Sequence, residues 1–270
     1  MKISQLILNL ILLILFGLTI IPFIMMLVMS LKNNGQIYAH FWSFPHPIHW
    51  EYYQQAWKAI ARYIGNSLIV MVISVIGVVF LSSLSGYVFA RHRFIGKETI
   101  YYCILLLMMI PGVLTLIPAY GLVQSLGLLN TRWVLILPYI SGGQVFGLLL
   151  CRGFMATIPE ELFESARLDG ASEFIAYLKI AIPLSLPIMA TVAIMNAIGI
   201  YNDYIWPLVT ISDHTIQTFT VGATQFVNEY NLNYGPMFAG YIIGSIPLII
   251  IFAIGTKYYV QGITSGALKL

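Results

Sequence analysis

Apolar residues dominate this chain in long runs, and the few charged positions between them divide it into segments. Six stretches of 19 to 33 residues contain no Asp, Glu, Lys or Arg. A membrane-spanning helix needs about 20 mainly apolar residues, so each stretch predicts one crossing. The predicted spans cover residues 6–31, 63–90, 100–124, 133–152, 181–207 and 236–257. We therefore predict an all-α integral membrane protein, a single domain over residues 1–270, with a loop over 153–180 between its fourth and fifth spans.

Composition and charge support this prediction. Hydrophobic residues make up 59% of the chain and charged residues only 9%, whereas a soluble domain carries about 25% charged residues. The runs are continuously apolar and do not alternate, which argues against a β-barrel. The first run is longer than the apolar core of a signal peptide, and no small-residue cleavage site follows it, so we expect it to be retained.

The distribution of Lys and Arg predicts the orientation. With the N-terminus inside, nine of these residues lie inside and four outside, as the positive-inside rule favours. Both termini are then cytoplasmic. The net charge of +3 reflects this topology and gives no reason to expect nucleic acid as a partner.

Helix-breaking residues interrupt the third and fourth predicted spans. They are Pro111-Gly112, Pro118, Pro138 and Gly142-Gly143. Such interruptions persist in a membrane where other protein or a water-filled cavity satisfies the freed backbone groups, and they therefore suit a transport path. The alternative is that Gly and Pro are simply commoner in membrane helices than in soluble ones.

The loop over 153–180 has the pattern of a short surface helix, a turn and a second helix. Thr157 is placed to cap the first helix, with Glu160 at the capping-box position, and Gly170 is a natural helix stop. One face of this helix, suited to docking, holds Leu162, Phe163 and Ala166. Over Arg152 to Lys179, five acidic residues oppose three basic ones. Because an anionic leaflet repels that mixture, a protein partner is favoured over the alternative of a helix lying on the bilayer.

Part of this loop resembles the EAA loop of ATP-binding-cassette importer permeases, whose pattern is Glu-Ala-Ala-x3-Gly-x9-Ile-x-Leu-Pro. The matching run is Glu164-Ser165-Ala166, three residues, Gly170, nine residues, and Ile180-Ala181-Ile182-Pro183. Ser165 and Ile182 are mild departures from Ala and Leu. Several fixed positions are far more specific than a lone short motif. The resemblance implies a coupling helix seated in an ATPase cleft, with Glu164, Ser165, Ala166, Asp169 and Gly170 as the ATPase-coupling residues.

Three further segments resemble the carbohydrate-uptake permeases, in particular the maltose-permease "G" type. They are Asn66-Ser67, the run Tyr201-Asn202-Asp203-Tyr204-Ile205-Trp206-Pro207-Leu208, and the tail from Tyr259 to Lys269. Tyr201 replaces the Trp of that family's Trp-Asn-Asp-x3-Pro-Leu pattern. The resemblance implies a bacterial-type cytoplasmic membrane, pairing with a second related permease, two ATPase subunits inside and an extracytoplasmic solute-binding protein outside.

Two other segments carry expectations of their own. Gly262 and Gly266 predict a compact, non-helical tail that runs along a partner. Residues 210–236, between the last two spans, are rich in polar side chains. The resemblance implies that this loop reaches towards the solute-binding protein, and a solvated connector is the alternative.

The chemistry of the chain itself favours transport over catalysis. It contains no Gly-x4-Gly-Lys-Ser/Thr loop, so we expect ATP and Mg²⁺ on a partner ATPase and no cofactor in this chain. No catalytic constellation is visible, and His46 and His49 lack a third ligand for a metal. This chain is therefore predicted to be a transport subunit and not an enzyme.

A tentative substrate path follows from the polar side chains of the spans. Its residues are Tyr139, Gln144, Asn196, Tyr201, Asn202 and Asp203. These groups offer hydrogen bonds and stacking faces to a neutral sugar, although bonding between neighbouring helices is the default for any one of them. A non-sugar solute remains an alternative. An ion-coupled secondary transporter is another, although the membrane-embedded acids that it needs are not visible.

Overall fold

The computed structural model describes residues 3–229 and 233–267, and within these ranges the chain forms α-helices and no strand. The helices are α1 Ile3–Met29, α2 Asn34–Ala39, α3 Glu51–Arg91, α4 Lys97–Leu106, α5 Gly112–Ser125, α6 Trp133–Met155, α7 Glu161–Leu168, α8 Glu173–Ala176, α9 Ile182–Asn202, α10 Ile205–Thr210, α11 Phe219–Glu229 and α12 Tyr234–Ala267. A 3-10 turn extends α4 over Leu107–Met109, and a π-helical turn joins α8 to α9 over Tyr177–Ala181. The all-α prediction is confirmed.

Five segments are long and apolar enough to cross a membrane. They are Ile7–Met29, Glu51–Arg91, Trp133–Met155, Glu173–Asn202 and Tyr234–Thr256. A bent pair, Lys97–Met109 and Gly112–Ser125, makes a sixth if it is counted as one span. Six crossings are thus reached only with this pair, whose two halves meet at 100°.

The bend in the third predicted span lies at Pro111. Ile110 is extended, with φ −81° and ψ 117°, because a residue before proline is disfavoured in the helical region. Pro118 lies inside α5 and Pro138 inside α6, and Gly142-Gly143 lies within continuous α6. Of the predicted interruptions, only Pro111-Gly112 breaks a helix.

Two helices have bounds that differ from those of the predicted spans. Helix α3 is continuous from Glu51 through 41 residues and therefore begins before residue 63. Helix α9 ends at Asn202 and does not continue to residue 207, since Asp203 is extended, with ψ 128°. Asp203 then accepts a hydrogen bond from the backbone N of Trp206 at 3.4 Å, so its side chain helps to start α10.

The described part of the chain falls into two compact units. The first comprises Met1–Ile64 and Val221–Ile246. Its Lys32 is fully buried, and the Nζ atom donates to the carbonyls of His40 and Phe41 at 2.8 and 2.9 Å. These bonds satisfy a charge that would otherwise be costly to bury, and burial lowers the pKa of Lys32. The ammonium thereby fixes the turn that follows α2.

The second unit comprises Gly65–Thr220 and Pro247–Leu270. Its centre is a close approach of α3, α6 and α9. A Cβ atom on Gly147 of α6 would overlap Ser82 of α3 and come within 3.1 Å of Val192 of α9. A small residue at this point lets three helices pack tightly. This packing holds the two candidate sites described below.

The predicted non-helical conformation of the C-terminal tail is also wrong. Helix α12 continues to Ala267 and therefore includes Gly262 and Gly266. Leu268 to Leu270 lie outside the described residues, as do residues 230–232 of the predicted outer loop. In the described part of that loop, α10 ends at Thr210, the first residue, and α11 forms the centre over Phe219–Glu229.

Candidate functional site: a coupling helix and a polar cavity

The start of α7 differs from the predicted cap. Helix α6 ends at Met155, and the backbone N atoms of Thr157 and Ile158 still bond back to Phe154 and Met155. Thr157 therefore belongs to the last turn of α6, where its hydroxyl donates to the Phe154 carbonyl at 2.8 Å. Helix α7 instead has Glu160 as its N-cap and no side-chain cap hydrogen bond, so the prediction that Thr157 caps α7 is wrong.

The end of α7 has the predicted glycine stop. Gly170 has φ +81°, in the left-handed region that glycine enters without steric penalty. The backbone N of Ala171 donates to the Ala166 carbonyl at 2.9 Å, which closes the helix. Ser172 then accepts from the backbone N of Ile175 and starts α8. The motif glycine thus reverses the chain between two short helices.

The predicted docking face of α7 divides between two environments. Phe163 is fully buried in a cluster with Tyr87, Met155 and Tyr177. Leu162 and Leu168 are 43% and 89% exposed. Of the residues predicted to couple to an ATPase, Glu164, Ser165, Asp169 and Gly170 are exposed, and Ala166 is half-buried. One aromatic side chain therefore anchors α7, while most of its surface stays available to a partner.

Ion pairs join the two ends of this helical hairpin. Arg167 of α7 donates from NH1 to Glu160 at 3.1 Å and from Nε to Glu173 of α8 at 3.0 Å. Hydrogen bonds from Arg167 to Glu173 and then Glu160 raise the pKa of this guanidinium. All three side chains are 40–46% exposed, so the pairs lie on a solvated rim.

A separate cavity of about 410 Å³ lies between α6 and α9. It is lined by Pro138, Tyr139, Gly142, Gly143, Met195, Asn196, Gly199, Ile200, Asn202 and Asp203. The Tyr139 hydroxyl donates to Asp203 Oδ2 at 2.8 Å, and the Asn196 carboxamide lies against Gly143. The lining contains one carboxylate and no basic side chain, so it offers hydrogen-bond acceptors and donors without a positive charge.

The structure brings four of the six predicted path residues to this cavity. They are Tyr139, Asn196, Asn202 and Asp203. Tyr201 instead points into the protein, with 2% exposure and its ring 5.9 Å from that of Phe219. Gln144 is not among the lining residues, and its backbone carbonyl accepts from Ser82 at 3.4 Å.

Comparison with known protein families shows which family has a chain with this short exposed helix and this polar cavity. The family described as "Binding-protein-dependent transport system inner membrane component" matches residues 79–265, a range that contains the coupling helix and the cavity. The chain belongs to this family. It is a permease subunit of an ATP-binding-cassette import system.

Relatives of this permease match almost its full length. The probable ABC transporter permease protein YurM of Bacillus subtilis is 36% identical over 250 residues, which cover 92% of this chain and 83% of the relative. The melibiose/raffinose/stachyose import permease protein MelC of Bacillus subtilis is 31% identical over 252 residues, covering 92% and 91%. The maltose/maltodextrin transport system permease protein MalG of Vibrio vulnificus is 35% identical over 216 residues, covering 78% and 73%.

The permease fold is also found in a solved structure. A bacterial ABC transporter involved in the import of the acidic polysaccharide alginate contains a chain that matches with a TM-score of 0.82. The match covers 96% of this permease and 99% of that chain, at 22% sequence identity. This likeness establishes the shared fold.

Sequence reasoning missed the role of Asn66 and Ser67 in the permease. Asn66 Nδ2 donates to the carbonyls of Thr215 and Gln217 at 2.9 and 3.0 Å, and its Oδ1 accepts from Arg132 at 2.9 Å. Ser67 Oγ accepts from the backbone N of Phe219 at 2.8 Å. Together they bond to the second half of residues 211–219, which we call the clamped segment. The resemblance marked this pair, but no local pattern indicated partners about 150 positions away.

Proposed function

We propose that this chain forms half of the translocation path of an importer for a neutral sugar or oligosaccharide. A second, related permease supplies the other half, and two ATPase subunits bind on the side of the coupling loop. A solute-binding protein delivers the solute on the opposite side of the bacterial cytoplasmic membrane. Both termini of this chain are cytoplasmic in this proposal. ATP and Mg²⁺ are held by the ATPase, since the chain carries no phosphate-binding loop.

The exposed surface of α7 carries this proposal. Leu168 is 89% exposed, and Glu164, one helical turn before it on this short helix, is exposed as well. Phe163 and the rim ion pairs hold the helix in place without using this surface. Such an anchored helix with a free apolar and acidic face is suited to a cleft in a protein partner.

The cavity supports the choice of solute. Its only charged lining residue is Asp203, whose carboxylate is already bonded to Tyr139. Carboxylate, amide and phenol groups are suited to sugar hydroxyls, which both donate and accept. An anionic solute would meet a like charge without compensation from this subunit. The names of the relatives MelC and MalG, which specify oligosaccharides, are in keeping with this solute class.

Purification of the assembly through an affinity tag on this chain tests the proposal. We expect an ATPase to co-purify and to be stimulated by the solute-binding protein. Proteoliposomes of the complex should import radiolabelled maltose, raffinose or N,N′-diacetylchitobiose only with ATP inside. A galacturonate trisaccharide serves as the acidic control. Import driven by a proton or sodium gradient without ATP would instead identify a secondary transporter.

A matched pair of variants tests the site. Glu164→Gln and Glu161→Gln each neutralise one exposed carboxylate of α7, but only Glu164 belongs to the motif. We expect Glu164→Gln to reduce the ATPase that co-purifies about tenfold, a loss typical of one interfacial charged hydrogen bond. Glu161→Gln should have a smaller effect. Equal effects of the two variants would contradict the assignment of this face.

A further inference from the structure

The last residue of α3 makes an unusual set of contacts with the coupling loop. The Arg91 side chain is only 7% exposed. Its NH1 donates to Glu160 at 2.8 Å, and its NH2 donates to the carbonyls of Met155, at 2.6 Å, and Ile158. Its guanidinium carbon lies 4.4 Å from the centre of the Phe163 ring. One side chain of α3 therefore contacts the end of α6, the linker and the buried anchor of α7.

The guanidinium is chemically suited to this position. The last carbonyls of a helix lack partners within the helix and carry the negative end of its dipole. A planar fork with five N–H donors can bond two carbonyls and a carboxylate while it stacks on an aromatic ring. A lysine ammonium has neither the fork nor the flat face. The geometry is thus specific for arginine and not only for positive charge.

Two other residues extend the contact along α3. Tyr87 lies four positions before Arg91, and its hydroxyl donates to Glu173 at 3.0 Å. Ser83 lies four positions before Tyr87, and its hydroxyl lies 2.8 Å from the hydroxyl of buried Tyr177. Residues four apart share one helix face. The three side chains form a continuous stripe, the α3 stripe, that contacts the coupling loop at its start, middle and end.

We infer that the α3 stripe, with Arg91 as its main positioning residue, makes the coupling helix and α3 move as one body when the ATPase displaces the loop. The inference rests on the proposed function. Arg91 does not touch the solute or ATP in this inference; it acts by keeping α7 in register with α3 and α6. Without it, α7 remains attached through Phe163 but can shift against α3, so ATP hydrolysis continues while less solute crosses.

The test uses the complete importer purified through a tag on this chain and reconstituted with its solute-binding protein. Arg91→Met removes the fork and keeps an apolar stem. Arg93→Met is the matched control, since Arg93 is exposed and has no hydrogen bond or ion pair within the residues that the structure describes. Tyr87→Phe removes a single hydroxyl, so it remains informative if Arg91→Met fails to fold.

Two measurements are made on each complex. The first is the amount of the imported panel sugar taken up per ATP hydrolysed. The second is the spin-label distance between position 80 of α3 and position 161 of α7, whose side chains are exposed and lie outside the coupling motif, without nucleotide and with trapped ATP–vanadate. In the unmodified complex we expect the same distance in both states, as a rigid body requires.

For Arg91→Met we expect uptake per ATP to fall about tenfold, within the usual range of coupling between sites. The spin-label distance should shift or broaden only in the vanadate state. Tyr87→Phe should give a smaller change of the same kind, and Arg93→Met none. A purely structural role would lower the yield of complex without changing uptake per ATP.

Several outcomes would overturn the inference. One is normal uptake per ATP in both Arg91→Met and Tyr87→Phe, and another is an equal loss in Arg93→Met. A distance that already changes in the unmodified complex would also show that α3 and α7 do not move together. If the unmodified complex neither hydrolyses ATP nor imports any panel sugar, the proposed function fails and the inference fails with it.

Discussion

The rim of the coupling loop (Glu160, Arg167 and Glu173 of residues 153–180) and the clamped segment both lie in the second unit, but they are held by different chemistry. The clamped segment is fixed by neutral groups, and Asn66, Gln217 and Thr218 are 3%, 6% and 4% exposed. The rim of the coupling loop is held by ion pairs among Glu160, Arg167 and Glu173, all 40–46% exposed. The clamped segment is held through its backbone carbonyls by the buried side chain of Asn66. The rim of the coupling loop is held by bonds between exposed side chains.

This difference has physical consequences for motion. Buried hydrogen bonds to the backbone are costly to break, because the freed groups meet no water. Exposed ion pairs contribute little to stability, because water and salt replace either partner. The clamped segment is therefore suited to be a fixed part of the second unit. The rim of the coupling loop can exchange its ion pairs with the charges of a partner.

The largest effect is expected from breaking the clamp with Asn66→Ala. Two carbonyls and the Arg132 guanidinium lose their partner, and each buried group left without one costs about 1–3 kcal/mol. We expect a destabilisation of roughly 3 kcal/mol, since water and relaxation recover part of the loss. The measurement follows the reaction of buried Cys151 with a thiol-reactive dye as the protein is heated, in a Cys103→Ser background. The temperature at which half of Cys151 has reacted is the thermal midpoint.

Two variants control this experiment. Asn66→Asp keeps the shape and the acceptor for Arg132 but places an oxygen opposite the two carbonyls, so it should be at least as destabilising. Asn9→Ala removes an exposed amide from α1 and should leave the thermal midpoint of the dye reaction unchanged. A midpoint for Asn66→Ala that matches Asn9→Ala would mean that the clamp does not stabilise this segment.

Particular residues show why only part of this organisation could be predicted. Charge-free runs reveal spans because burial in hydrocarbon excludes charge along the whole run, and this signal is local. The Asn66 clamp joins residues 149 and 151 positions apart, so it has no local signal. The prediction for Thr157 was wrong because α6 ends at Met155 and not at residue 152. The Thr157 hydroxyl therefore bonds to the end of α6 and not to the start of α7.

The same limits apply to the site. The motif spacing predicted a short helix that stops at Gly170, and α7 followed by the left-handed Gly170 agrees with it; its role in coupling stays a prediction. Arg91 directly follows the second predicted span, and its position along the chain does not indicate its partners. Its contacts depend on how α3, α6 and α7 pack, which spacing along one helix does not specify. Four of the six path residues share a cavity because α6 and α9 face each other, but the inward orientation of Tyr201 depends on Phe219.

An intermediate effect is expected at Gly170. A Cβ at this position would meet nothing within 4 Å, so a substitution there does not bury a charge. Asp and Asn both tolerate the left-handed region better than other non-glycine residues, and they differ only in charge. We expect Gly170→Asp, beside Asp169 and near Glu164, to weaken ATPase co-purification several-fold, while Gly170→Asn nearly retains it. If both variants lose the ATPase equally, backbone strain and not charge is responsible.

The smallest effect is expected from Arg167→Gln, which removes both rim ion pairs of the coupling loop. Each pair is exposed, and double-mutant measurements place such pairs near zero net contribution. The thermal midpoint of the dye assay should therefore fall by less than about 2 °C, and the small difference should disappear at high salt because exposed charges are screened.

Lys179→Gln is the matched control, since it removes an exposed cation of the same loop. Phe163 and Arg91 still hold α7 in the variant, so its insertion and yield should match those of the unmodified chain. A large, salt-independent fall in the midpoint would show that the rim stabilises the fold as strongly as the buried clamp does, and the contrast between the two segments would then be wrong.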